Sequence, residues 1–391
     1  MRILTYRGTP LWRDARVLRA VTQIVFVFIV VAIVVYFVRN VFEAADQRGL
    51  KLGFGFLEEE AGFPIAESVI GYTESDSFRH AFIVGVVNTI KVALIGIVAA
   101  TVLGLIVGVS RLSSNWLVKS ITSVYVEIIR NVPLLVQLFF WYFGIFLLLP
   151  VVQESLRLPG PIYVNNRGVF SVWANTTSSF DSWLLFVLSG VVLAVAVRVV
   201  LRRIQIKTGR NTHPNVAAAL ALVLVATLGW FVVGESPLVR ETPVLERFNF
   251  VGGARVTPEF AALLTGLVVY TAAFIAEIVR AGIQSVKRGQ TEAARALGLS
   301  DAQTLQSIVF PQALRVIIPP MISQFLNLTK NSSLAIAIGY PDLYAISRIM
   351  INQAGRAVPI MLLIMAAYLA MSLTYAIIGN IYNRRVRFTE R

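Results

Sequence analysis

The 391-residue sequence contains no cysteine and only two histidines. Disulfides, zinc–thiolate sites and thiol nucleophiles are thereby excluded. His80 and His213 stand far apart with no carboxylate cluster around them, so neither reads as catalytic or metal-binding, and no metal is expected. Charge is also scarce: 14% of residues are Asp, Glu, Lys or Arg, against roughly 25% in an ordinary soluble domain. No G-x-x-x-x-G-K-[ST] stretch occurs, so energy must come from another chain or from an ion gradient. Solenoid repeats and low-complexity tracts are absent too, and no stretch is long enough for a separate soluble domain.

Apolar residues make up 57% of the chain, gathered into runs long enough to cross hydrocarbon, which takes about 20 residues of helix. Candidate spans lie near 17–38, 80–110, 120–149, 182–201, 216–234, 260–280, 304–328 and 358–382. The expected fold class is an all-α integral membrane protein with about eight transmembrane helices. Its first run, Val17 to Val38, is longer than a signal-peptide core and lacks a small-residue cleavage site, so it reads as a membrane helix.

A formal net charge of +14 is compatible with a nucleic-acid partner, an anionic membrane surface or topogenic arginines, and position decides among them. The cations flank apolar runs and form no basic, aromatic-interleaved domain, so lipid is the expected partner and nucleic acid is not. Arg2, Arg7, Arg13, Arg16 and Arg19 near the start, and Arg384, Arg385 and Arg387 near the end, place both termini in the cytoplasm. Arg198, Arg202, Arg203, Lys207 and Arg210, with no acid among them, mark another inner loop. Glu43, Asp46, Glu58, Glu59, Glu60, Glu67, Glu74 and Asp76 then fall outside, with the segments 150–181 and 235–258, rich in Pro, Gly, Ser, Thr and Asn.

The stretch 281–303 differs from every other loop: it is polar, carries few helix breakers, and reads as short cytoplasmic helices. Gly298 permits a sharp turn there, while Ala293 and Ala294 let another surface approach the backbone. The run EAARALGLSDAQTLQSIVFPQAL, from Glu292 to Leu314, resembles the EAA loop of binding-protein-dependent ABC importers, with Phe310 where leucine is commoner. YTAAFIAEIVRAGIQSVKRGQTEAARALG, LNLTKNSSLA, NTIKVAL and EIIRNVPLLVQLFFWYF are similar to the polar amino acid branch, which takes in the histidine, glutamine and general L-amino acid permeases.

That resemblance implies a type I importer five-helix permease core built from 79–150 and 259–391. A first helix and outer segment, 1–78, precede the core, and an insertion, 151–258, adds two spans. Such a long insertion looks like the larger permease of general L-amino acid transporters. The implied partners are a shorter, related second permease, two copies of an ATP-binding subunit and an extracytoplasmic amino-acid-binding protein. No cofactor is expected on this chain; ATP and Mg would belong to the partner ATPase, docked on Glu292, Ala293, Ala294, Arg295 and Gly298.

Polar groups at membrane depth are expensive and so mark function or interhelical hydrogen bonding. Gln324, Asn327, Lys330, Asn331, Ser332 and Ser333 follow the Pro319–Pro320 pair. An amino acid's carboxylate needs a cation or N–H donors and its ammonium needs oxygens, and this patch offers both. Substrate contact and interhelical bonding both stand as readings, and Lys330 can also snorkel to an interface. Asn88, Thr89 and Gln137 are further pathway candidates, Gln137 because Pro133 should kink its span. Glu127 with Arg130 and Glu277 with Arg280, each three apart, read as structural ion pairs. The whole is read as an amino acid importer's permease, not an enzyme; an ion-coupled secondary transporter is the alternative, which would need a central membrane carboxylate.

Overall fold

The computed structural model describes residues 5–6, 9–10, 15–47 and 52–386. Arg2, Arg7, Arg13 and Arg387, used above for orientation, lie outside the described residues. Seven helices are long and apolar enough to cross a membrane, and a bent pair makes an eighth span if counted as one. They are α1 (Ala15–Gln47), α2 (Phe78–Ser110), the bent pair α3 (Trp116–Asn131) and α4 (Leu134–Gly144), α5 (Phe180–Thr208), α6 (Pro214–Val232) and α7 (Pro258–Gln284). After two short helices, α8 (Arg288–Ala296) and α9 (Asp301–Thr304), a π-helical stretch, Leu305–Val309, runs into α10 (Phe310–Asn331). The chain ends with α11 (Leu343–Ala354) and α12 (Ala357–Val386).

The bent pair meets at 105°. Val132 and Pro133 interrupt the helix because a proline has no N–H to donate and its ring crowds the preceding turn. The chain divides into two compact units, one of 1–126 with 271–391 and one of 127–270.

In the first unit the outer segment 52–77 folds onto α2, α11 and α12. Phe56, Ala61, Phe63 and Phe78 form one buried cluster with Ala81, Val84, Ile346, Met350, Ile360 and Ile364. Lys91 of α2 reaches back to Glu67 at 2.7 Å, an ion pair about 20 Å from the helix start by rise alone. Further along, α2 lies against α7 through a seam of small residues four apart, Ala100, Gly104 and Gly108. A Cβ at Gly104 would stand 2.6 Å from the Cβ of Ile275, and one at Gly108 would stand 2.8 Å from the Ala276 carbonyl oxygen. Lipid tails are as apolar as leucine, so helices in a bilayer gain by close van der Waals approach, which such spacing permits.

In the second unit the outer segments, expected as loops, carry β-structure. Strands at 162–165 and 168–171 pair as a hairpin, flanked on one edge by 156–158 and on the other by 254–256. Strand 173–176 pairs antiparallel with 238–241 across the intervening α5 and α6, and 244–246 with 249–251 form a short hairpin. Val152, Phe170 and Phe250 are the buried centre of this cap. The fold is therefore helical in the membrane with a small sheet outside it. Below the cap α5 and α6 pair with one another through Gly190 and Gly229, against which Val225 and Phe186 pack.

Candidate functional site

The segment 287–304 folds into a projecting turn. Helix α8 ends in a Schellman motif: Leu299 N–H donates to Ala294 O at 3.1 Å and Gly298 N–H to Arg295 O at 2.9 Å. Gly298 sits at φ +81°, a left-handed conformation that glycine adopts without a Cβ penalty. Ser300 then starts α9 with a reciprocal capping box, its hydroxyl accepting from Gln303 N–H while the Gln303 side chain accepts from Ser300 N–H. Arg295 bridges the turn to Asp301 at 3.0 Å. Glu292, Ala293, Arg295 and Gly298 are exposed, Ala294 is buried, and Leu297 is 82% exposed. An apolar tip held out by backbone bonds on both sides is a shape that another protein can grip.

The root of this turn is clamped. Glu277 near the end of α7 accepts from Arg280 at 2.5 Å, the expected pair. Arg111, just past the end of α2, joins the same carboxylate. That third member was not read from the sequence; its signal was a lone cation at the end of a span, and nothing in spacing alone ties it to 277. Glu127 and Arg130 lie three apart in α3, and the Glu127 carbonyl accepts from Asn131.

Along α10 the polar candidates separate by face. Val316, Pro320, Ser323, Asn327 and Lys330 are exposed, while Ala313, Ile317, Leu328 and Thr329 on the other side are buried. Of the set expected at 324, 327 and 331, Asn327 is exposed and Gln324 and Asn331 are half-buried. The Lys330 ammonium has no ion pair or hydrogen bond among the described residues. Ser332 and Ser333 turn inward on their own helix, donating to Thr329 O at 2.8 Å and Lys330 O at 2.7 Å. These two hydroxyls add side-chain donors to the last turn of α10, where it passes into a 3-10 helix, Ser332–Ile338.

Asn88 and Thr89 are fully buried, and the structure brings neither to the stripe on α10. Asn88 Nδ2 donates to Glu67 O and Pro341 O, both at 2.8 Å, and Thr89 Oγ1 accepts from Leu343 N–H at 3.0 Å. They hold the start of α11 and the outer segment against α2. Gln137 is buried as well, its Nε2 donating to Ile129 O at 2.8 Å and Val132 O at 2.9 Å. Those carbonyls belong to the turn that Pro133 breaks, so the amide supplies donors that the interrupted helix cannot.

One buried carboxylate escaped the sequence reading. Asp342, between two spans, caps α11 by accepting from Ala345 N–H at 2.8 Å and lies 3.4 Å from the Tyr368 hydroxyl. Burial pushes its pKa up to about 6, against the downward pull of hydrogen bonds from Ala345, Tyr344 and Tyr368.

Residues 214–388 match the model of a family described as binding-protein-dependent transport system inner membrane component. The chain is 42% identical over 388 residues to a putative amino-acid ABC transporter permease, YhdX, of Escherichia coli, covering 99% of this chain and 98% of that one. It is also 42% identical to the general L-amino acid transport system permease AapQ of Rhizobium johnstonii, over 94% of this chain and 92% of that one. Identity is 36% to the glutamate/glutamine/aspartate/asparagine transport system permease BztB of Rhodobacter capsulatus, over 99% of this chain and 97% of that one. Likeness that runs through the cap and the α5–α6 pair at such levels makes the assignment one of the whole chain: this multi-pass inner-membrane protein belongs to the binding-protein-dependent transport components and, among them, to the amino-acid ABC transporter permeases.

Proposed function

We propose that this chain lines the translocation pathway of an ATP-driven importer for polar L-amino acids and couples that pathway to separate ATPase subunits. The projecting turn at Glu292–Gly298 carries the reading: it is exposed, internally braced by its Schellman motif and capping box, and rooted through Glu277 in α7. A partner pressing on a braced turn moves the helix behind it, whereas a slack loop would absorb the motion. The substrate class follows the printed names of the full-length relatives, which are amino-acid, general L-amino acid and glutamate/glutamine/aspartate/asparagine permeases. All three are named transport permeases and the first an ABC transporter permease, which leaves the ion-coupled alternative without support.

In this reading ATP and Mg are bound by the partner ATPase, a second, related permease completes the pathway, and an extracytoplasmic binding protein delivers the amino acid. Asn327 and Lys330, on the exposed face of α10, meet the substrate carboxylate or the second permease, with Gln324 and Asn331 beside them. Both termini face the cytoplasm, on the same side as the coupling turn.

The test is ATP hydrolysis and amino acid uptake by the complete transporter in proteoliposomes, wild type against Glu292→Lys. Binding-protein-dependent hydrolysis is expected in wild type, with uptake falling at least about 100-fold in the variant as an electrostatic contact is reversed, worth roughly 3 kcal/mol. Uptake driven by an ion gradient alone, without ATP, would overturn the assignment.

A further inference from the structure

Helices α5 and α6 supply none of the residues of the coupling turn or of the α10 stripe. Among the described residues Gly190 is the one buried position of α5, and Ala218 and Gly229 are those of α6. At their outer ends Trp183 and Trp230 meet edge to face, 5.6 Å apart at 89°, and Trp183 Nε1 donates to Ala226 O at 3.0 Å. Amphipathic aromatics of this kind settle at the bilayer interface. From Trp183 to Arg202 the helix rises about 28 Å, close to the roughly 30 Å thickness of the hydrocarbon core.

A basic cluster occupies the other end. Arg198, Arg202, Arg203, Lys207 and Arg210 are all exposed, and no Asp or Glu occurs from 182 to 234. None of the five side chains has an ion pair or hydrogen bond among the described residues. Helix α5 also outlasts its partner: Thr212 Oγ1 donates to Leu201 O at 3.0 Å, so the connecting loop returns beside Leu201. The turns carrying Arg202, Arg203 and Lys207 therefore project about 10 Å past the start of α6. At about 100° per residue, Arg198 and Arg202 share a side, while Arg203 and Lys207 stand well around the helix. The charges form a collar, with apolar side chains exposed directly beneath it.

We propose that this collar binds anionic phospholipid headgroups of the cytoplasmic leaflet, several at once, with their acyl chains along the bare flanks of α5 and α6. A collar suits lipid because headgroups approach from every side, whereas a folded partner meets one face. Guanidinium groups match phosphate oxygens in bidentate fashion, and basic residues just beyond a span are attracted to anionic lipid.

The full-length chain in detergent, titrated with phosphatidylglycerol or phosphatidylcholine of matched acyl chains and read by native mass spectrometry, tests this. Phosphatidylglycerol is expected to bind about tenfold more tightly, with the preference shrinking as salt rises. Arg202→Gln/Arg203→Gln/Lys207→Gln should bring the two lipids level, and R202K/R203K should keep most of the preference. A cooperative thermal unfolding transition at the wild-type midpoint verifies that each variant is folded. Equal binding of both lipids by wild type, or a salt-insensitive preference unchanged in the triple variant, would sink the proposal. So would displacement of the lipid by soluble glycerol phosphate at equal concentration, which would make this a free-phosphate site. Loss of a co-purifying protein subunit from the triple variant, with lipid preference intact, would make the collar a protein contact instead.

Discussion

Helices α2 and α5 each contain an 18-residue stretch of the same hydropathy and are nearly the same length, yet the structure uses them in opposite ways. Thirteen residues of α2 are buried, and one of α5. The difference lies in residue size and in polar placement. On its buried face α2 carries Gly85, Asn88, Thr89, Gly96, Ala100, Gly104 and Gly108, while α5 is valine and leucine on nearly every side. Hydropathy decides that a segment enters the bilayer; small residues and hydrogen-bonding groups decide what it packs against once there.

The sharpest way to break that contrast is to fill the seams. A side chain at Gly104 would drive into the Cβ and Cγ2 of Ile275, which are branch atoms next to the backbone and cannot swing away. Gly104→Val should cost about 3 kcal/mol or more, as overpacking in a rigid seam does. Gly190→Ala in α5 meets Leu222 Cδ1 and Val225 Cβ at 3.2 Å, a contact that a shift of a few tenths of an ångström relieves, and should cost under about 1 kcal/mol. Thermal unfolding of the two variants in the same detergent separates them, and equal losses would refute the contrast.

A second probe acts through pH, since Asp342 lies in the well-packed unit and α5 has no comparable group. Its folded-state pKa of about 6 is above the ordinary carboxylate value of 3.8. Between those values the folded chain holds a proton that the unfolded chain releases, so stability is greatest below about pH 4 and declines as pH rises to 6. The upper bound on the decline is ~3 kcal/mol. Asp342→Asn should flatten the melting temperature across pH 4 to 7; a profile that keeps its slope would assign the effect to another group.

Much of this was legible in the sequence. Span positions, the Glu277–Arg280 pair and the turn at Gly298 follow from local pattern: an apolar run, an i, i+3 spacing and a glycine after a polar helix. What stayed hidden depends on residues distant in sequence. Arg111 finds Glu277 across 166 positions, and Asn88 finds Pro341 across 253. The outer sheet was missed although Asn165 and Gly168 flank a two-residue turn between strands, the hairpin signal that a search for membrane spans passes over. Gln137 shows a polar residue doing structural service beside a proline, and its role depends on which carbonyls the break frees.

The smallest expected change in transport concerns Asn88 and Thr89, which distinguish α2 from α5 most clearly by chemistry. Asn88→Ala strands the carbonyl oxygens of Glu67 and Pro341 beside a buried cavity, at about 1–3 kcal/mol. Thr89→Val removes one acceptor from Leu343 N–H, at about 1 kcal/mol. If both residues serve only to hold α11 and the outer segment against α2, each variant should lose stability while the apparent affinity for transported amino acid in proteoliposomes stays within about twofold of wild type. A shift of tenfold or more in that affinity, at unchanged stability, would return Asn88 and Thr89 to the pathway and make α2 a substrate-facing helix as well as a packing one.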